Sequence, residues 1–336
     1  MNTTVNTVAT TNDTQKYKIR ALVSNYYDLQ KLRIQAGNRI VASYMDLGEK
    51  SRKRTSESVK EEANDTDKAK RDKEEMKLIA KLTGEYYSIT DAFSKLAMEK
   101  KRKPKIDTVI SEVEKDNKLE LIKTEFDYSM AQYYMSIKDS EETVAKAIEK
   151  EVVKHPMWNA FFKDVKGCGP LIAANCISYF DIDKGRHASA FWKYAGLDVI
   201  VTDEGKAEGH NKKHLVDQQY TDKNGDIQTK KGLGYNPILK AKLAGVLADS
   251  FIKCCKNGEG YRKAYEDYRN RLDNREDTKD FTNMHKHNMA RRFAVKQFVR
   301  DMWIVWNELA GYPPEPTYEE AFLGRKHHGY NRALEK

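Results

Sequence analysis

The chain has 336 residues, of which 33% are charged and 39% hydrophobic, and its 60 basic and 51 acidic residues give a formal charge of +9. No apolar run is long enough to cross a bilayer, and the four cysteines form no CxxC pair, so a membrane protein and a secreted disulfide scaffold are excluded. We expect a soluble, cytoplasmic, helix-rich protein with no membrane partner, whose basic balance mildly favours nucleic acid as a partner.

Residues 1–150 predict long helices, because apolar residues recur there at helical spacing. Helices are predicted over about 16–47, 76–98 and 106–151, and the polar stretch 49–75 predicts an exposed helix or a flexible linker. We assign this region to a coiled-coil-like helical arm, a candidate surface for homodimerisation. The candidate buried residues of the third helix are Val109, Val113, Leu121, Phe126, Met130, Tyr133 and Tyr134.

A glycine-rich turn at 167–170 follows, with the sequence Gly167-Cys168-Gly169-Pro170. Glycine tolerates positive φ, and proline fits the first position of the apolar helix that comes next. Such a helix–hairpin–helix leaves unpaired backbone N–H groups at a helix N-terminus, where anions bind. Lys163 and Lys166 make a nucleic-acid phosphate the expected anion, although a plain turn between two helices remains the alternative interpretation.

Short elements are predicted next: a helix over 187–194, a strand over 198–201, and a β-hairpin over 220–229 closed by a two-residue type I′ turn at Asn224-Gly225. Asn236-Pro237 predicts the start of another helix, as an N-cap followed by a first-turn proline. That helix has the candidate buried residues Leu239, Leu243, Val246, Leu247 and Phe251.

The last long helix is predicted over about 284–309, with an apolar stripe at helical spacing. Arg292, Lys296 and Arg300 form a basic row four residues apart beside this stripe, with Arg291 next to it. Such a row suits a helix that packs on a core while it follows a phosphate backbone, and a solvated surface is the alternative. Residues 313–336 are predicted to be a basic, loosely structured tail.

The segment VKGCGPLIAANCISYFDIDKGRHASAFWKYAGL resembles the second domain of transposases of the insertion sequence 110/116/902 family. The matching parts are the Gly-x-Gly-Pro turn, Ala173-Ala174, the acidic spacer 181–184 and Ala195-Gly196-Leu197. The resemblance resumes at 232–240, with the sequence GLGYNPILK, and covers roughly residues 160–255. It implies a DNA-binding helix–hairpin–helix domain, which we assign to residues 151–312.

The resemblance also implies chemistry that this sequence lacks in two places. Family members begin with a RuvC-like nuclease domain whose carboxylates bind metal on β-strands, and residues 1–150 contain no β-rich run. The family's nucleophilic serine aligns with Glu204, which cannot form the corresponding link to DNA. We therefore predict no catalytic residue, no metal site and no cofactor, and Mg²⁺ would enter only if a nuclease activity exists; enzymatic activity stays open.

The predicted fold is mainly α, with long N-terminal helices, a helix–hairpin–helix domain and one small β-hairpin. The favoured function is a DNA-binding, transposase-like protein that acts in DNA recombination, in transposition of a mobile element or in its regulation, with RNA as an alternative ligand. An active recombinase with another nucleophile or a partner's nuclease, and a structural coiled-coil protein, are the other hypotheses. The predicted DNA-binding residues are Lys163, Lys166, Gly167, Gly169, Lys184, Arg186, Lys212, Lys213, Lys230, Lys231, Arg291, Arg292, Lys296 and Arg300.

Overall fold

A computed structural model of the protein describes residues 3–44, 65–100, 103–201, 205, 207–312, 316 and 324. The fold is mainly α, as predicted. No helix in the described part of the chain is long and apolar enough to cross a membrane. The helices are α1 (Thr3–Tyr44), α2 (Asp65–Lys100), α3 (Ile106–Asp116), α4 (Glu125–Val152), α5 (Pro156–Ala160), α6 (Pro170–Tyr179), α7 (Ala188–Tyr194), α8 (Pro237–Lys240), α9 (Ala248–Cys254), α10 (Gly260–Asn274) and α11 (Asn283–Leu309).

The chain divides into two compact units. The small unit is Ser24–Ala145, and the large unit combines Met1–Val23 with Lys146–Lys336. The domain boundary predicted at residue 150 is close to the observed boundary between residues 145 and 146. The prediction, however, groups residues 1–23 with the residues of the small unit. They belong to the large unit, where Ile19 and Val23 are fully buried.

The small unit encloses its own core between helices, and the second predicted helix is confirmed within α2. α2 begins at Asp65, inside the predicted linker 49–75, of which residues 49–64 lie outside the described part of the chain. The core residues are Ala36, Ile40, Leu82, Ile89, Val109, Ile110, Val113, Leu119, Ile122, Ala131, Tyr134, Met135 and Ile137.

The single helix predicted over 106–151 is wrong, because the chain breaks between α3 and α4. The buried carboxylate of Glu85 accepts the N–H groups of Glu120, Leu121 and Ile122 at 2.9, 2.9 and 2.8 Å, which satisfies the backbone of the break. Because α4 begins anew at Glu125, two of the predicted core residues are exposed: Phe126 at 70% and Tyr133 at 50%.

The core of the large unit forms around α11. Phe161 and Phe162, which follow α5, pack against Phe298 of α11 with ring centroids 5.5 and 6.4 Å apart. The Ala-rich helix α6 is buried along most of its length, because its small side chains allow close packing. On α11 the predicted stripe is largely confirmed, with Val295, Phe298, Val299, Met302 and Trp303 buried.

Two antiparallel two-stranded sheets follow α7, where one β-hairpin was predicted. The first pairs β1 (Val199–Val201) with β2 (Ala207–Gly209), and the second pairs β3 (Leu215–Thr221) with β4 (Ile227–Leu233). Thr221 pairs with Ile227, so residues 222 and 226 face each other and the loop between them has three residues rather than two. Gly225, at φ 92°, supplies the left-handed residue that such a loop needs.

The helix predicted after Asn236 is confirmed, and the Asn236 side chain accepts the Leu239 N–H at 3.1 Å as its N-cap. Between α8 and α9 the helix widens into a π-helical segment, Ala241–Leu247. The wider turn keeps Leu243 and Leu247 on the buried face but rotates Val246 outward, to 51% exposure, so the predicted burial of Val246 is wrong. The predicted tail 313–336 lies outside the described residues except for 316 and 324.

Candidate nucleic-acid interface

The Gly167–Gly169 turn leads directly into α6. Gly167 has φ 89°, Gly169 is the N-cap residue, and Pro170 occupies the first helical position. The Gly169 carbonyl accepts the N–H groups of Ile172 and Ala173 at 3.0 and 3.1 Å. The N–H groups of Gly169 and Leu171 donate to no acceptor in the described part of the chain, so the turn presents two donors at the positive end of a helix.

The two glycines have different surroundings. Gly167 packs against α9: its carbonyl accepts the Ser250 hydroxyl at 2.8 Å, and a Cβ atom here would lie 3.0–3.1 Å from Ser250. Gly169 is exposed, and a Cβ atom here would have no neighbour within 4 Å among the described residues. Gly167 therefore shapes the turn, and Gly169 forms its open side.

The lysines beside this turn are solvated. Lys163 and Lys166 are exposed, and Lys166 forms an ion pair with Glu259 at 3.3 Å. Lys184 and Arg186 are also exposed, and Lys184 lies 3.8 Å from Asp181. Ion pairs of this kind are weak enough for an incoming phosphate to replace.

The four lysines predicted around the β-hairpin are exposed as well. Lys230 lies over the ring of Tyr220 at 4.9 Å, and Lys231 pairs with Asp217 at 2.8 Å. Lys212 and Lys213 lie in the loop before β3. These residues add surface charge but form no enclosed site.

The predicted basic row on α11 does not form a continuous exposed surface. Arg291 pairs with Asp249 at 2.9 Å and donates to the Gly245 carbonyl at 2.8 Å. Arg300 is only 3% exposed and lies 3.4 Å from the buried carboxylate of Asp301. The prediction that Arg300 belongs to an exposed phosphate-binding row is therefore wrong. The four-residue spacing cannot distinguish a solvated arginine from one buried with a carboxylate partner, because both suit an amphipathic helix.

Arg292 and Lys296 instead join Lys240, the last residue of α8, in what we call the cation cluster. Lys240 donates to the His210 carbonyl and lies 4.6 Å from the centroid of Tyr235. Lys296 lies 5.0 Å from the centroid of Trp192. Each cationic side chain is therefore half-buried against an aromatic ring or, for Arg292, against the backbone of Gly209.

Burial lowers the pKa of all three cluster residues, because the charged form loses hydration. The charge of Arg292 lowers the pKa of Lys240 and of Lys296 further, so both lysines lie in the field of Arg292. Asp198 acts in the opposite direction on all three. Three cations thus share the field of a single carboxylate.

Asp198 is itself engaged by His210. Its Oδ1 lies 2.9 Å from Nδ1 of His210, whose side chain is almost fully buried and whose Nε2 has no partner in the described part of the chain. One carboxylate offsets only one of the three positive charges, so a surplus of positive charge stays in a half-buried position. A tetrahedral oxyanion would relieve the mutual repulsion, so the arrangement suits phosphate.

Lys240, Asp198 and His210 were not among the site residues predicted from the sequence. Two signals were present: Asp198 directly follows Ala195-Gly196-Leu197, and Lys240 ends the second segment that carries the family resemblance. The fold joins them because the β1–β2 hairpin brings His210 back to Asp198, with the His210 N–H donating to the Asp198 carbonyl at 3.2 Å.

The described part of the structure adds no candidate catalytic or metal-binding residue to those considered from the sequence. Glu204, aligned with the family's serine, lies outside the described residues. The described residues contain no group of three or more side chains suited to hold a metal ion. Comparison with protein-family models, with curated proteins and with solved structures finds no match to this chain.

Proposed function

We propose that this protein binds nucleic acid, with a backbone phosphate held by Lys240, Arg292 and Lys296. The observation that carries the proposal is the charge imbalance at the cation cluster, where three half-buried cations share the field of one carboxylate, Asp198. Uncompensated buried charge destabilises the free protein, and an anionic ligand removes that cost.

The Gly167–Gly169 turn supports the same function as a second phosphate contact. Its two unpartnered N–H groups at the N-terminus of α6 are the donors that helix–hairpin–helix units direct at a phosphate oxygen. Two phosphate contacts on one unit favour an extended polyanion over a small free anion.

The resemblance to insertion sequence transposases supports DNA as the preferred nucleic acid. It also supports a role in DNA recombination, in transposition or in the regulation of a mobile element. Binding alone, without strand cleavage, is the activity that we propose.

The test is fluorescence anisotropy with duplex, single-stranded and four-way-junction DNA and with a matched RNA, across a salt series. The wild type is compared with Arg292→Gln/Lys296→Gln. We expect the variant to bind about tenfold to a hundredfold more weakly, and its logarithmic salt dependence to fall by about one, because the cluster neutralises one phosphate.

A charge-matched control is Arg275→Gln/Lys279→Gln, in which both residues pair with acidic neighbours on the surface. It removes the same formal charge and should retain wild-type affinity. Equal loss in both variants would show only a non-specific charge effect, and no binding by the wild type at low salt would reject the function.

A further inference from the structure

A cleft of about 300 Å³ lies in the large unit, apart from the cation cluster. It is formed by residues 16–20 of α1, by the end of α6 and the loop that follows, and by α7. Its volume is at the lower end of the range for small-molecule pockets. The side chains that matter for a ligand are Lys16, Tyr17, Arg20, Tyr179, Lys184 and Tyr194.

The α1 wall of this cleft is fixed to the rest of the large unit. Ile19 is fully buried, and Gln15 donates from Nε2 to the Glu151 carbonyl at 3.1 Å. Lys16 pairs with Asp181 across the cleft at 3.0 Å, with both side chains mostly buried. The site is therefore preorganised, which lowers the entropy cost of binding.

Arg20 is the most informative residue of the cleft. Its guanidinium carbon lies 5.2 Å from the centroid of Tyr179. Its Nε is buried and has no acceptor, and Arg20 forms no ion pair within the described part of the chain. A buried N–H without an acceptor is costly, and the planar guanidinium is well suited to a phosphate. A phosphate oxyanion in the cleft would supply an acceptor for this guanidinium.

The net charge of the cleft also favours an anionic ligand. Lys16, Arg20 and Lys184 line it together with one carboxylate, Asp181. Asp181 lies 3.0 Å from Lys16 and 3.8 Å from Lys184, so it forms its ion pairs with these two lysines and not with Arg20. Burial alone would raise the pKa of Asp181, but the hydrogen bond and charge of Lys16 outweigh burial and lower it, so this carboxylate is charged and already neutralised.

Aromatic rings complete the cleft. Phe180 and Phe191 stack on each other with centroids 4.4 Å apart and form a buried floor. Tyr17 and Tyr194 stand at the rim, 62% and 40% exposed. Exposed tyrosine rings next to a cation are the features with which proteins stack nucleobases.

From these contacts we propose that the cleft binds one nucleotide unit, with its phosphate on Arg20 and its base against the rim tyrosines. The unit is either a free nucleoside monophosphate or an unstacked or terminal nucleotide of a strand. None of the cluster residues lines this cleft, so nucleotide binding here can be tested separately from the proposed phosphate contact at Lys240, Arg292 and Lys296.

The test is isothermal titration with AMP, CMP and inorganic phosphate, and with a single-stranded pentanucleotide. The variants are Arg20→Gln and Tyr17→Ala, with Lys18→Gln as a control because Lys18 is an exposed lysine of the same helix. We expect Arg20→Gln to weaken nucleotide binding at least about tenfold and Tyr17→Ala about fivefold, with Lys18→Gln unchanged. Thermal melting checks that each variant is folded, and Tyr17 is exposed enough to replace without disturbing the core.

Tighter binding of the pentanucleotide than of AMP or CMP would identify a strand as the source, and the reverse a free nucleotide. Binding of nucleotide no tighter than inorganic phosphate, or equal affinity in wild type and Arg20→Gln, would overturn the proposal. Retained nucleotide binding in Arg292→Gln/Lys296→Gln, together with lost duplex binding, would confirm that the two sites are separate.

Discussion

The guanidinium of Arg292 lies over the backbone of Gly209, so closely that a Cβ atom at Gly209 would overlap it. Glycine at the end of β2 thereby creates the space in which a cation of α11 reaches the cation cluster. The overlapping atoms are at the far end of a flexible side chain, which can move without disturbing the core.

Gly209→Ala should therefore displace Arg292 and weaken DNA binding about threefold to tenfold. The free energy of unfolding should change by no more than about 1 kcal/mol, because only a half-buried side chain moves. Fluorescence anisotropy and urea unfolding of the same preparation measure both quantities. Gly84→Ala, where a Cβ atom has no neighbour within 4 Å among the described residues, is the control. Unchanged DNA affinity in Gly209→Ala would remove Arg292 from the interface.

Gly185→Ala should destabilise the large unit by about 2–3 kcal/mol. A Cβ atom here would overlap the Phe191 ring, which is 3% exposed and stacked on Phe180, so no flexible atom can give way. The Gly185 carbonyl also accepts the Trp303 indole N–H at 2.7 Å, which holds the backbone in place. Urea unfolding measures this decrease in the free energy of unfolding.

The control for that substitution is Gly245→Ala, an exposed helical position with no neighbour within 4 Å of its Cβ among the described residues. It should leave stability unchanged or raise it by up to about 1 kcal/mol, as alanine is the better helix former. A Gly185→Ala protein as stable as the wild type would mean that Phe191 is free to shift.

His155 should make stability fall in mild acid. Burial lowers its pKa from 6.5 to about 4, and its neutral Nδ1 accepts the Met157 N–H at 3.2 Å as the N-cap of α5. The unfolded chain binds a proton near pH 6.5 and the folded chain does not, so the unfolded state is stabilised relative to the folded state as pH falls. The contribution is complete above pH 6.5 and is lost towards pH 4, a decrease of roughly 3 kcal/mol in the free energy of unfolding.

Urea unfolding at several pH values between 7 and 4 measures this decrease. His155→Asn keeps a capping acceptor but does not titrate, so its stability should depend less steeply on pH. An identical pH dependence in the variant would assign acid sensitivity to other groups.

Glu85→Gln should destabilise the small unit by about 2–3 kcal/mol, because an amide NH₂ would replace one of the two oxygens that accept three backbone N–H groups. The urea midpoint reports the loss. Glu120→Gln is the matched control, since this exposed carboxylate pairs with Lys81 on the surface, and its midpoint should not move. Similar midpoints for the two variants would contradict the role of Glu85 in the break between α3 and α4.

The sequence by itself determined the helical class, the α2 and α11 helices and the start of α8, since these depend on local periodicity and on capping residues such as Asn236. It also identified the Gly167–Gly169 turn, because positive φ at Gly167 is a local requirement. It could not find the break before α4, since the carboxylate that stabilises it, Glu85, is 35 residues distant from Glu120.

The candidate sites depend on contacts between distant parts of the chain. Only the tertiary structure separates Arg300, buried beside Asp301, from Arg292 and Lys296, which share the field of Asp198 with Lys240. Likewise only the fold brings Arg20 to Tyr179. Helical spacing decides which residues share a face, whereas the neighbours that bury a face and pair its charges come from other segments, and they decide whether a cation is a core residue or is left for a ligand.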